Sequence, residues 1–255
     1  MLDRPDASLM RLLESIRRKV VARRHTTLLL ALAAMFAARP LISDAETGVV
    51  VFSLAALLVL LAALFTIRVD DLTGKREALL AQHRRRRIIA WALAVPAIAG
   101  RLLMFVAPSN RLVLAAVISW LLFLAYVTWS QLRSLLRQRA ITGETISMSI
   151  SVYLLLGLTW ALLYIVIFTR HPEAFSFGAA PAPSEEHAFP LFIYFSLTTL
   201  STIGFGDITP VTLQARYAAV AEGITGQFYL AVLVARLVGM QLNQAATPSS
   251  PRRGD

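Results

Sequence analysis

The sequence predicts an all-α membrane protein with six transmembrane helices and a shorter, re-entrant half-helix between the fifth and the sixth. Two observations carry the prediction. Of the 255 residues, 57% are hydrophobic and the mean hydropathy is +0.64, far from the composition of soluble domains. Basic residues also mark alternate boundaries between apolar runs, as the positive-inside rule demands of a chain that crosses repeatedly.

The elements follow in order. Residues 1–25 are basic and amphipathic: Leu9, Leu12, Leu13, Ile16 and Val20 share one helical face while Arg11, Arg17, Arg18 and Lys19 lie elsewhere. This predicts a helix lying on the anionic lipids of the inner leaflet. Apolar runs at 26–42, 48–67, 88–107 and 112–130, each read as a crossing of about 30 Å of hydrocarbon, make a four-helix domain over residues 26–140. A cleavable signal peptide is the competing reading of the first run, but its basic region is long and carries Glu14. Residues 141–242 form a second domain with runs at 146–168 and 215–242. Between these lies the apolar segment 188–200, too short to cross and so read as a half-helix, with Pro190 suited to its first turn. Residues 243–255 are a short tail.

Arginines and lysines crowd the N-terminus, the loop with Arg68, Lys75, Arg76, Arg84, Arg85, Arg86 and Arg87, the loop with Arg133, Arg137 and Arg139, and the tail with Arg252 and Arg253. The alternate loops hold Asp44, Glu46, Glu173, Glu185 and Glu186. Both termini are therefore expected in the cytoplasm, in the cell (inner or plasma) membrane, with the half-helix entering from outside. The net charge of +10 is accounted for by anchoring at the membrane surface, so nucleic acid is not an expected partner. The absence of cysteine excludes disulfides and thiolate metal sites.

The most polar and flexible stretch, TTLSTIGFGDITP at 198–210, follows the half-helix directly. Non-helical backbone at membrane depth survives only where it lines an aqueous path or is buried in protein. Glycine alternating with β-branched or aromatic residues allows left-handed φ at Gly204 and Gly206, so that successive carbonyls can face one side. Rings of such carbonyls replace the hydration shell of a cation, and one strand per chain requires several chains around an axis. The carbonyl end of the half-helix adds a negative pole, which also favours cations.

The run Thr202-Ile203-Gly204-Phe205-Gly206-Asp207 resembles the signature Thr-Val/Ile-Gly-Tyr/Phe-Gly-Asp of the tetrameric potassium-channel family. The likeness extends through YFSLTTLST and ITPVTLQARY, and the last run, GQFYLAVLVARLVG, looks like the inner helix of small bacterial channels. It covers about residues 146–242. It implies a homotetramer with C4 symmetry and an ion-binding selectivity filter at Thr202, Ile203, Gly204, Phe205 and Gly206. Potassium ions would be held by the carbonyls of Thr202, Ile203, Gly204 and Phe205 and by the Thr202 hydroxyl; no other cofactor is implied. Phe205 replaces the commoner tyrosine, which removes a phenolic hydrogen bond behind the filter and bears on inactivation. Asp207 matches an aspartate that bonds a pore-helix tryptophan; here that position is Tyr194, whose hydroxyl can donate to the carboxylate. Gly226 matches the inner-helix hinge, with Gly223 a nearby competitor and close helix packing the alternative role. Gln227, Leu230, Val234 and Val238 match cavity and gate positions, and an apolar ring of Val234 and Val238 could gate by dewetting.

Glu222 lies within the last apolar run, where an ionisable group is expensive and hence suspect as functional. It is expected to support the filter through pore-helix hydroxyls such as Ser196 or Thr199, a neutral acid being one form it can take, rather than to contact the ion. Arg236 is expected to snorkel to the inner interface. Glu185 and Glu186 are candidates for concentrating cations at the outer mouth.

Potassium-selective conduction competes with a non-selective cation channel on the same fold, against which the intact TIGFG argues. From another class, a non-conducting receptor or structural subunit would leave that motif unexplained. An enzyme is not expected, because His25, His83, His171 and His187 sit near run ends on both sides and no catalytic constellation converges. No regulatory domain is expected in the tail, so a cytoplasmic gating domain would be a separate, unidentified partner. The fourth run, LVLAAVISWLLFLAYVTWS, has no basic residue, whereas a voltage sensor needs several charges, each worth about 2.3 kcal/mol per 100 mV. Conductance measured against voltage in a planar bilayer should therefore lack a steep rise; a steep sigmoid would overturn the reading.

Overall fold

The computed structural model describes residues 23–41, 80–103, 110–138 and 140–246, with helical positions at 54, 58, 59 and 61–63. The expected surface helix before residue 23, most of the 48–67 run, the loop 68–79 and the tail beyond 246 lie outside the described residues. The chain divides into two compact units, Met1–Ala92 and Leu93–Asp255.

In the first unit, α1 (Arg24–Leu41) buries Leu28, Ala31, Leu32 and Met35, the i, i+3, i+4, i+7 spacing of one apolar stripe. Helix α2 (Leu80–Leu103) begins in the first unit, ends in the second and carries Pro96. The second unit continues with α3 (Asn110–Leu135), α4 (Gly143–Arg170), a 3₁₀ turn (Pro172–Ala174), β1 (Phe175–Ser176), α5 (Glu185–Leu200), β2 (Thr209–Pro210) and α6 (Leu213–Ala246).

Among the described residues, three helices are long and apolar enough to cross a membrane: Leu114–Leu135, Gly143–Arg170 and Leu213–Leu242. The apolar parts of α1 and α2, His25–Ala37 and Ile88–Gly100, are shorter. The half-helix also appears, as His187–Leu200 within α5.

Helix α4 is the centre of the second unit. Thr142 caps it reciprocally with Thr145: the Thr145 amide donates to Thr142 Oγ1 at 3.2 Å and the Thr142 amide to Thr145 Oγ1 at 3.3 Å, meeting two donors that helix geometry leaves without partners. Helix α3 packs on it and buries Phe123, Val127 and Leu135. Thr128 adds polar contacts, to the Leu155 carbonyl at 3.4 Å and the Thr159 hydroxyl at 3.1 Å. Leu135, Met148 and Val152 form a buried cluster on which Tyr229 and Leu233 of α6 also pack, so three helices meet at one end of the unit.

At the other end an aromatic cluster surrounds α5. Tyr164 meets Phe195 edge-on at 5.0 Å between ring centroids, and Phe175 meets Phe192 at 4.8 Å, geometries that add to the burial of each ring. Phe175 also pairs with Pro210, and Ser176 with Thr209, in a two-stranded antiparallel sheet. The loop after α4 is thereby stitched to the chain just beyond the TIGFGD segment.

The start of α5 corrects one expectation. The helix opens at Glu185 behind the N-cap position Ser184, whose carbonyl accepts the amides of His187 at 3.0 Å and Ala188 at 2.9 Å. Pro190 therefore sits in the second turn, not the first. Apolarity begins at Ala188, but acidic residues at an N-terminus are favoured by the helix dipole and extend the helix outward.

Two glycines let helices approach α5 closely. A Cβ at Gly157 would lie 2.7 Å from Leu197 Cδ2, and one at Gly226 would collide with the backbone carbonyl of Leu200. Gly223 is roomier, with the Thr199 carbonyl 3.9 Å from the equivalent position. Helix α6 runs unbroken through both glycines, and close packing is the role the contacts give Gly226. Gly226→Ala should thus cost about 1–3 kcal/mol as overpacking and lower the thermal midpoint in detergent, whereas Gly223→Ala should leave it nearly unchanged. Equal effects of the two would refute the packing role.

Candidate functional site

The site is built from the last turn of α5 outward. The Thr202 amide donates to the Thr199 carbonyl at 3.0 Å; the Ile203 and Gly204 amides both donate to the Thr198 carbonyl, at 2.8 and 3.2 Å. Helical bonding thus gives way to two bonds on one oxygen, and the chain leaves the helix. Positive φ then alternates: Thr202 at 60°, Gly204 at 54° and Gly206 at 80°, with Ile203 and Phe205 between them at negative φ.

Glycine at 204 and 206 meets this requirement at little cost, as the sequence spacing leads one to expect. Thr202 does not. A β-branched residue at positive φ is a genuine outlier, disfavoured by about 1–2 kcal/mol, and conformations of this kind persist only where their surroundings over-determine them. Here the surroundings are the Thr198 and Thr199 carbonyls and Gln227, whose Nε2 donates to Thr202 Oγ1 at 3.5 Å. Alternating hands along a strand turn successive carbonyls to one side, which is the arrangement a cation can use in place of water.

Behind this strand, the Tyr194 ring lies parallel to Phe205, with centroids 6.1 Å apart and an interplanar angle of 3°. The Tyr194 hydroxyl lies near the Asp207 carboxylate. Both partners of the expected pair are thus brought together, and the ring contact with Phe205 was not legible in the sequence. The stack packs the Phe205 ring against α5.

Glu222 is wholly buried and joins three helices. Tyr164 of α4 donates to Oε2 at 2.5 Å, while Oε1 is in short hydrogen-bond contact with Ser196 Oγ of α5. Ser196 Oγ also lies 2.7 Å from the Gly157 carbonyl. Of the two hydroxyls expected from sequence, Ser196 is the partner. Tyr164 went unnoticed there because it lies 58 residues from Glu222 in the chain; its signal is one polar tip among several in the run, Tyr153 included. Arg236, expected at the inner interface, donates Nη2 to the Gln138 carbonyl at 2.7 Å and so ties α6 to the loop after α3. The side chains of Glu185 and Glu186 lie outside the described set.

The rest of α6 is nearly bare. Only 11% of its apolar window is buried, against 50% in α4, and Leu230, Val234, Val238, Tyr217 and Phe228 are exposed. Gln227 belongs to the same open surface. Ile203 and Phe205 are exposed as well, at 58% and 67%. A membrane chain with so much uncovered apolar surface beside an irregular strand presents a face for other chains or for a path between them.

A half-helix ending in a carbonyl-lined strand between two crossing helices defines a membrane protein that passes ions. Comparison with known proteins agrees. The family described as "Ion channel" matches residues 152–241. The chain is similar to the potassium channel protein kcv of Paramecium bursaria Chlorella virus 1, at 33% identity over 72 residues, 28% of this chain and 77% of the viral protein. It is also similar to protein LctB of Bacillus caldotenax, at 30% identity over 89 residues, 34% of this chain and 64% of that protein. No solved structure matches. The chain belongs to the ion-channel family; it is a channel and not an enzyme.

Loss of the Tyr194 hydroxyl removes the donor nearest Asp207 while leaving the stack on Phe205. Tyr194→Phe should therefore shorten single-channel openings without abolishing current, and an unchanged open time would count against the pair.

Proposed function

We propose that this chain forms a potassium-selective channel that conducts passively and without steep voltage dependence. The observation that carries the reading is the alternation of positive φ at Thr202, Gly204 and Gly206 in the sequence TIGFG at the carbonyl end of a half-helix. In this reading the carbonyls of Thr202, Ile203, Gly204 and Phe205 and the Thr202 hydroxyl bind potassium ions, and Gly206 frees the backbone above them. Tyr194, Asp207 and Glu222 support the strand from behind. The viral relative's name, a potassium channel, points the same way.

Four copies assemble around a C4 axis. The uncovered face of α6 supports this, because a single strand cannot encircle an ion and a bare apolar helix beside it needs neighbours. Gln227 lines the cavity beneath the filter, with Leu230, Val234 and Val238 below it as apolar gate positions. The hinge role stands beside the packing role of Gly226 rather than replacing it. Six crossings, with both termini in the cytoplasm of the cell membrane, complete the topology and follow from the distribution of basic residues.

Purified protein in liposomes should release potassium down an outward potassium gradient, with reversal potentials that favour potassium over sodium. Gly204→Asp and Gly206→Asp should be silent, since neither can hold positive φ without strain and both place a carboxylate at the strand. Wild-type flux without potassium preference, or flux surviving in both variants, would sink the proposal.

A further inference from the structure

The contacts around Glu222 can be counted in protons. Three close oxygen pairs are present: Tyr164 hydroxyl with Oε2, Ser196 Oγ with Oε1, and Ser196 Oγ with the Gly157 carbonyl. Each needs one proton between its oxygens. Tyr164 brings one and Ser196 brings one, and a hydroxyl has only a single proton to donate. If Ser196 gives its proton to Glu222, the Ser196 and Gly157 oxygens face each other 2.7 Å apart with nothing between them. If it gives its proton to Gly157, an ionised Oε1 meets a lone pair instead.

A protonated carboxyl removes the conflict. Tyr164 donates to Oε2, the Glu222 hydroxyl at Oε1 donates to Ser196 Oγ, and Ser196 donates to the Gly157 carbonyl, which can accept this bond in addition to its helical one. All three pairs are then satisfied. The surroundings agree: Glu222 is wholly buried, no described residue forms an ion pair with it, and Tyr153, the other ionisable side chain facing it, is also a phenol. Burying an unpaired carboxylate costs far more than burying a hydrogen-bonded neutral acid.

We infer that Glu222 is a neutral carboxylic acid at the centre of a single donor chain, Tyr164 to Glu222 to Ser196 to Gly157, and that this chain is the positioning device fixing α5 between α4 and α6. Ser196 lies two residues before Thr198, the residue whose carbonyl gathers the Ile203 and Gly204 amides. A slip of α5 against its neighbours would move that carbonyl, and the strand with it. Gly157 has a double part in the device: its missing side chain admits Leu197, and its carbonyl closes the chain. The protonation is independent of what the channel conducts, whereas the consequence for selectivity rests on the proposed potassium pore.

The test is infrared difference spectroscopy on the full-length protein in liposomes, wild type against Glu222→Gln, in water and deuterium oxide. The wild type should show a protonated-carboxyl stretch that shifts on deuteration and vanishes in Glu222→Gln. In Tyr164→Phe the band should remain but move, because one hydrogen bond to the carboxyl is gone. In the same liposomes, Glu222→Gln should keep the potassium-over-sodium permeability ratio within about twofold of wild type, since an amide reproduces all three bonds. Glu222→Ala should lower that ratio by about tenfold or more, as buried donors lose their partners. Absence of a Glu222-dependent carboxyl band, or a Gln variant as damaging as Ala, would overturn the inference. A band present in a wild type without potassium preference would leave the protonation standing, and would refute both the pore reading and the effect on selectivity.

Discussion

One carbonyl oxygen, that of Thr198, accepts the amides of both Ile203 and Gly204. This fork ends helix α5 and starts the irregular strand, and everything distinctive about the molecule depends on keeping it in place. In a membrane the backbone cannot turn to water for missing hydrogen bonds, so the exit from a helix must be resolved within the protein. Here the resolution falls to the helix's own last turn. The surrounding structure then has one task, to hold that turn still.

Three kinds of contact perform it. Steric fit comes first: Gly226 brings α6 so close to α5 that a methyl group there would strike the Leu200 carbonyl, and Gly157 leaves the space that the Leu197 side chain fills. Polar connection is second, with Glu222 linking Tyr164 and Ser196 across the same three helices. Third, the loop after α4 clamps the far side of the strand, since β1 pairs with Thr209 and Pro210 and the Val211 amide bonds the Ala174 carbonyl at 2.8 Å. The strain of a β-branched residue at positive φ, concentrated at Thr202, is tolerable only because these contacts leave the chain no alternative path.

The opposite end of the second unit is joined differently. Leu135 of α3, Met148 and Val152 of α4, and Tyr229 and Leu233 of α6 share one apolar cluster, and Arg236 bonds the Gln138 carbonyl beyond it. Helix α6 is therefore gripped on one side at both ends, while its other side stays open. That asymmetry is what allows a single chain to be well packed behind the strand and incomplete in front of it.

Much of this was written locally. Three of the six apolar runs, at 112–130, 146–168 and 215–242, coincide with helices long and apolar enough to cross among the described residues, since an apolar helix satisfies its own backbone in hydrocarbon. The spacing of Gly204 and Gly206 announced left-handed backbone, and Glu222 stood out as a charge in the wrong solvent. The start of α5 was missed because two glutamates masked it, although their charge suits a helix N-terminus. Partners were a different matter. Tyr164 for Glu222, Phe205 for Tyr194, Leu200 for Gly226 and Gln227 for Thr202 are choices among many similar side chains. Sequence by itself determined that the chain is a membrane protein and where the backbone departs from a helix, because both are set by the chemistry of neighbouring residues. Only the tertiary structure decided which side chains hold that departure in place, because proximity across three helices depends on how they pack and leaves no periodic mark in the chain.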